Sequence, residues 1–185
     1  MLKELYQEIG SEKVTHKEIV KKGIKLLQRK GCLLIDGKQH EIDENLVFDI
    51  VSCLDADLNA FFIALNEKGY LNEKVTQELR IFSNDLQSNT CDVYQLERLN
   101  QFELNIANNS SLDIVDKELL LGYVAIDRSS TEFWNEQYKS QKGPFAKWVI
   151  AAADAASFAI GMAGGNPVLA GYLSFLVSAS AAHKE

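Results

Sequence analysis

Residues 148–182 read WVIAAADAASFAIGMAGGNPVLAGYLSFLVSASAA, and Asp154 is the single Asp, Glu, Lys, Arg or His among them. Gly164-Gly165-Asn166-Pro167 interrupts the stretch. Gly and Asn supply a helix stop and Pro suits a first turn, so the spacing predicts two helical arms, Trp148 to Ala163 and Val168 to Ala182. Small residues recur every fourth position on both arms: Ala153, Ser157, Gly161 and Gly165, then Ala170, Ser174, Ser178 and Ala182. Rows of this kind let two helix backbones approach closely, the small-xxx-small device known from membrane helices. At 1.5 Å per residue each arm spans about 24 Å, short of a hydrocarbon core of about 30 Å. The hairpin therefore has three expected uses: internal core, contact between subunits, or insertion into a bilayer. Asp154 must find a partner in any of them, because an unpaired carboxylate in an apolar face costs several kcal/mol or takes up a proton. Lys147, a helix N-terminal amide or another subunit are the expected partners.

Outward from the hairpin, Gln141-Lys142-Gly143-Pro144 marks a sharp shift in composition, which divides the chain into a bundle over 1–142 and a hairpin over 143–185. The two prolines are Pro144 and Pro167, so nothing earlier carries the strongest helix breaker. Thr15-His16-Lys17-Glu18 has the capping-box pattern, and Ile19, Val20, Gly23, Ile24, Leu26 and Leu27 recur at helical spacing as far as Gly31. Asp36-Gly37 lies between two short segments and predicts a β-hairpin near 32–42.

The helical period returns with Leu46, Val47, Ile50, Val51 and Leu54, and again with Leu58, Phe61, Phe62 and Leu65 after Asp55-Ala56-Asp57. Two helices or one kinked helix fit that pattern. Asn72 is placed to cap a helix burying Val75, Leu79, Phe82 and Leu86, and Ser88-Asn89-Thr90 is the next break. Val93, Leu96, Leu99, Phe102 and Ile106 continue the register to Asn108-Asn109-Ser110-Ser111. Leu119 to Tyr138 then forms one long helix or two joined at Ser129-Ser130-Thr131, where Ser129 and Glu132 would make a capping box. The fold expected is all-α: a multi-helix bundle with a short β-hairpin and a C-terminal Ala/Gly/Ser-rich helical hairpin.

The run Ala151-Ala152-Ala153-Asp154-Ala155-Ala156, followed by Gly161, Gly164 and Gly165, resembles the Ala/Gly-rich tails of bacteriocin-like peptides and the hydrophobic hairpin of pore-forming colicins. The resemblance covers the last fifth of the chain and implies a membrane-inserting activity.

Elsewhere the residues point away from catalysis. Hydrophobic residues make up 46% and charged residues 24% of the chain, which suits an ordinary folded domain. The 19 Lys and Arg against 26 Asp and Glu leave a net charge of −7, so the surface repels phosphate backbones and nucleic acid is not an expected partner. The basic stretch Lys13 to Lys30 is interleaved with Glu18 and reads as a solvated helix face. Cys32, Cys53 and Cys91 are odd in number and widely spaced, which suits neither a disulfide framework nor a zinc site. His16, His40 and His183 are isolated from one another, and no phosphate-loop or nucleophile-elbow motif occurs, so no metal or other cofactor is expected. Asp55 with Asp57 and Glu132 with Glu136 are the pairs a two-carboxylate mechanism could use, and both read as solvated. Trp134, Tyr138, Phe145 and Trp148 flank the hairpin entrance as core or interfacial aromatics.

The function expected is a non-enzymatic interaction or assembly protein, contacting a protein partner or further copies of itself through Trp148, Ala153, Asp154, Ser157, Gly161, Gly165, Ala170, Ser174 and Ser178. The alternative is a bacteriocin-like or pore-forming protein with a sheltered hairpin. The charged start of the chain, MLKELYQEIGSEK, lacks a signal core, so the expected location is the cytoplasm, with membrane association under the alternative.

Overall fold

Two arms at the C-terminal end, α8 (Lys147–Ala163) and α9 (Pro167–Ala182), form a closely packed helical hairpin. The computed structural model describes residues 1–9, 14–35, 37–55, 57–87, 95–137, 147–163 and 165–183. Of the features read from the sequence, Asp36, Ala56, Cys91, Val93, Tyr138, Phe145, Gly164 and the breaks at 88–90 and 141–144 lie outside the described residues.

Among the described residues seven helices precede the hairpin: α1 (Leu2–Ile9), α2 (His16–Arg29), α3 (Glu44–Ser52), α4 (Leu58–Glu67), α5 (Glu73–Gln87), α6 (Gln95–Asn108) and α7 (Ile114–Gln137). Among the described residues the β-structure is one antiparallel ribbon, β1 (Leu34–Ile35) paired with β2 (Lys38–Gln39), shorter than the 32–42 segment expected.

Local chemistry explains most of these boundaries. The Thr15–Glu18 capping box forms in full at the start of α2, satisfying two donors that the first helical turn leaves orphaned. Asp43, Asp57 and Asn166 cap α3, α4 and α9 through their side-chain oxygens. The segment after residue 43 is two helices, since Asp57 starts α4 afresh with its carboxylate accepting from the Asn59 N–H at 2.9 Å. Asn72 accepts from the Val75 N–H at 3.0 Å and donates to the buried Asp116 of α7 at 2.7 Å, so one side chain both caps α5 and ties it to α7.

Helix α7 takes the first of its two expected forms, and α1 is an addition to the expected elements. Helix α7 runs unbroken through Ser129-Ser130-Thr131, because Ser129 returns its hydroxyl to the Ala125 carbonyl at 3.2 Å, a bond made inside a helix and not at a cap. Helix α1 was not foreseen: Leu5 and Ile9 are one turn apart and pack with Ile19 and Leu26 of α2. The basic face of α2 lies against this acidic helix, with Lys30 paired to Glu4 at 2.7 Å and Arg29 paired to Glu8. The Lys30 ammonium holds the Glu4 carboxyl below its usual range. These pairs are exposed, as expected of a solvated face.

Helix α8 lies between α7 and α9, while α2 and α3 cover the other side of α9. Its residues from Val149 to Ile160 are buried except Asp154 and Phe158, and the hairpin shares one continuous core with Val20, Ile24 and Leu27 of α2 and Phe61, Phe62 and Leu65 of α4. The two arms approach closely at Gly161, where an added Cβ would stand 2.6 Å from the Ala170 Cα and 2.8 Å from its Cβ. The obstacle is backbone, which cannot swing aside. Gly165, the other half of the apparent GxxxG, has φ +81° and lies in the turn beyond α8 with open space around it. The expected row thus ends at Gly161, and Gly165 serves the helix stop.

Gly161→Ala is therefore expected to destabilise the protein by about 1–3 kcal/mol through overpacking, despite the gain in helix propensity that Ala brings. Chemical denaturation measures it, with Gly122→Ala, a helical site with nothing within 4 Å of the added Cβ, as the control that should be neutral or stabilising.

Candidate polar site in the helical core

One stripe of α7 carries Leu120, Tyr123, Val124, Asp127, Thr131 and Trp134, and all six are buried. Their spacing is that of a core-facing helix surface, so the sequence places a carboxylate where an apolar residue is ordinary. Asp127 has no solvent exposure at all. Its Oδ1 accepts from the Thr131 hydroxyl at 3.2 Å. The Tyr123 hydroxyl, one turn earlier, is near enough to steady the Asp127 carboxylate, yet neither that hydroxyl nor Oδ2 has a hydrogen bond of good geometry. Tyr123 itself is walled by Phe62 and Phe82, both meeting it edge-on, and Phe82 stacks on Phe102 of α6 at 4.4 Å.

A second carboxylate meets this stripe from α8. Asp154 accepts from Ser130 of α7 through Oδ2 and from Ser174 of α9 through Oδ1, so a single side chain joins three helices. Its partners are serine hydroxyls from two neighbouring helices, in place of the Lys147, amide or second subunit expected. This follows from size: a serine is small enough to line the close contact and still donates a hydrogen bond. Ser157, Ser178 and Ser180 return their hydroxyls to carbonyls of their own helices, Ala153, Phe175 and Leu176, which lets polar residues stand in a dry interior without orphaned groups.

The electrostatics follow from this enclosure. Burial pushes the Asp127 carboxyl up to about 7, with the charge of Asp154 adding to the rise and the nearby hydroxyls of Thr131 and Tyr123 opposing it. Burial also raises Asp154, opposed by the hydroxyls of Ser130, Ser174 and Ser178. Burial, then the nearby Asp127, drives the Tyr123 phenol well above its ordinary value.

Of the residues expected to form a contact surface, Ala153, Ser157, Ala170, Ser174 and Ser178 are buried inside the chain. Asp154, Gly161 and Trp148 are partly exposed, and Gly165 is exposed. The structure brings Asp154 together with Ser174, and Gly161 together with Ala170. It leaves Trp148 as a flank packed on the main core. Trp134 is buried beside Ile150 and Ala181. Asp55 is a local turn acceptor, its Oδ1 taking the Asp57 N–H at 2.9 Å, and that pair is accounted for by helix starts. Sequence reasoning missed Asp127, although an acid on an otherwise apolar stripe was a signal that could have found it. Cys32 and Cys53 are free thiols, and among the described residues no group of three His, Cys, Asp or Glu is placed to hold a metal.

No protein-family model matches the chain, and neither a curated protein nor a solved structure does.

Removing the Asp154 side chain as Asp154→Ala leaves the Ser130 and Ser174 hydroxyls without their acceptor, and a loss of about 1–3 kcal/mol is expected for the unmade bonds. Asp154→Asn keeps one acceptor oxygen and should cost less. Equal stability of all three proteins by thermal melting would mean that the junction contributes nothing.

Proposed function

We propose that the chain is a non-enzymatic interaction protein in which the arms of the C-terminal hairpin form the interior and its turn supplies the contact to a protein partner or a second copy. The supporting observation is the exposure pattern of the hairpin. Its arms are buried, whereas Met162 and Val168, on either side of the turn, are 41% and 40% exposed. Ala163, Gly165 and Pro167 beside them are exposed as well, so the turn presents apolar and small residues with no charge among those described. An apolar, uncharged protrusion is suited to burial against a partner. Its backbone is held at the base by the tight contact of Gly161 with Ala170 and by the Asn166 cap, so ordering it on binding costs little conformational entropy.

A second reading, insertion into a bilayer, draws on the sheltering of two nearly uncharged arms within a shell that includes amphipathic helices. Among the described residues, however, no helix is long and apolar enough to cross a membrane. The first reading asks for less rearrangement.

The combined variant Met162→Glu, Val168→Glu tests the turn. Because both sites are exposed, its melting temperature should stay within a few degrees of the parent's. The parent at about 100 μM should elute as a dimer or larger species in light-scattering chromatography, or bind a partner, and the variant should not. An identical mass and identical binding for both would remove the turn as a contact. Leakage of vesicles by the parent, lost in Gly161→Leu but kept in the turn variant, would favour the bilayer reading.

A further inference from the structure

Asp154 is a carboxylate whose bonds all come from neutral groups. Ser130 of α7 donates to Oδ2 and Ser174 of α9 donates to Oδ1, and among the described residues no Lys, Arg or His pairs with it. Helix α9 carries no Asp, Glu, Lys, Arg or His along Pro167–Ala182, and on α8 the other charged residue is Lys147, about two turns away. Arg128 of α7 is taken by Glu103 of α6 at 2.6 Å. A carboxylate set among packed helices ordinarily has a paired cation or a bound metal ion.

Further oxygens gather around this charge. Ser178, one turn beyond Ser174 on α9, lies within reach of the same carboxyl. Two carboxylate and three hydroxyl oxygens thus converge from three helices. Ser130, Ser174 and Ser178 are buried, whereas Asp154 is partly exposed, so the carboxylate residue is within reach of solvent ions and its partners stand deeper.

We propose that Asp154, Ser130, Ser174 and Ser178 form a site for a monovalent cation of sodium size, which ties α7, α8 and α9 together. The donor set suits a hard cation, since it offers carboxylate and hydroxyl oxygens with no nitrogen or sulfur. The charge count selects a single positive charge, because a divalent ion would leave an excess charge among apolar alanines. The arms approach closely at Gly161 and Ala170, which leaves little width for a larger ion. To admit the cation the two donating hydroxyls must turn their hydrogens elsewhere. Ser157 and Ser180 show the way: each donates to the carbonyl four residues back, Ala153 at 2.5 Å and Leu176 at 2.9 Å. Ser130 and Ser174 have the same option with the carbonyls of Ile126 and Ala170, and their oxygens then face the ion beside Oδ1 and Oδ2.

The test is urea denaturation of the full chain with choline chloride replaced stepwise by sodium chloride at constant ionic strength, so that screening of exposed pairs is unchanged. An ion bound only by the folded state lowers the unfolding constant in a saturating way, about tenfold once its concentration reaches about ten times its dissociation constant. The parent should show that fall with sodium and a smaller one with potassium. Asp154→Asn and Ser174→Ala should lose it, whatever their stability in choline. Equal unfolding in sodium and choline, equal responses to sodium and potassium, or a sodium response that survives both substitutions overturns the proposal. Should Asp154→Asn fail to fold, Ser174→Ala carries the comparison, read a second way by the sodium NMR line: broadening by the folded parent that is lost in Ser174→Ala supports the site, and the same line with both proteins overturns it.

Discussion

The close approach of α8 to α9 is the constraint on which the rest of the structure depends. Where the Cα of Ala170 stands 2.6 Å from the place a Gly161 Cβ would occupy, only glycine fits, and the facing positions must be equally small. Helix α8 then packs against α7 on another side, so nearly every position along it faces protein. A helix hydrophobic all round belongs in a core. Its alanines, which bury little area each, gain stability through number and through density of packing.

Small residues have a second consequence. Alanine fills such an interface but offers no specificity, and serine adds a hydroxyl at almost the same volume. The hairpin uses serines that bond their own helix, Ser157, Ser178 and Ser180, and one, Ser174, that reaches a partner on the facing arm. Asp154 is the point at which this neutral polar lining becomes ionisable. Its bonds to Ser130 and Ser174 define which turn of α7 lies beside which turn of α9, a registry that alanine rows alone would leave free to slide. Buried polar groups are costly, and they are retained most readily where they specify a single arrangement.

How far this was legible depends on which physical signal each feature left in the chain. Helices with sharp polar caps were visible: Thr15 with Glu18, Asn72 and Asn166-Pro167 each marked a helix start that the structure realises. The hairpin was visible from composition, but its destination was not, because a row of small residues suits a core, a subunit contact and a bilayer equally well. Ser129-Ser130-Thr131 left one helix or two open, since the same hydroxyls that cap a helix start can bond back along a helix that continues. Helix α1 left a weak signal because it is short and its stability comes from α2, with Tyr6 adding a bond to the Ala179 carbonyl at 3.2 Å. For the polar site, Asp154 was conspicuous as a lone charge, whereas Asp127 was hidden among the many charges of α7. Asp154 and the Ser130 that donates to it lie 24 positions apart in sequence, and only the folded chain brings them together at one seam.

The titration of that seam also bears on what the hairpin is for. Release of a sheltered hairpin into a bilayer by acid requires that protonation weaken its attachment to the shell. Burial raises the Asp127 and Asp154 carboxyls, so for these two groups acid acts in the opposite sense and favours the folded arrangement. Acid makes Asp154 cheaper to place in hydrocarbon, yet the same proton makes it cheaper to leave where it is, against Ser130 and Ser174. The two effects oppose one another, so a proton on Asp154 is no trigger by itself. Any such trigger would have to come from exposed pairs such as Lys30 with Glu4, whose contributions are small in water. An interior hairpin that stays in place and meets its partner through the turn is compatible with this balance as it stands. A hairpin that leaves its shell would need some other source of driving force, and the carboxylates at its centre would not provide it.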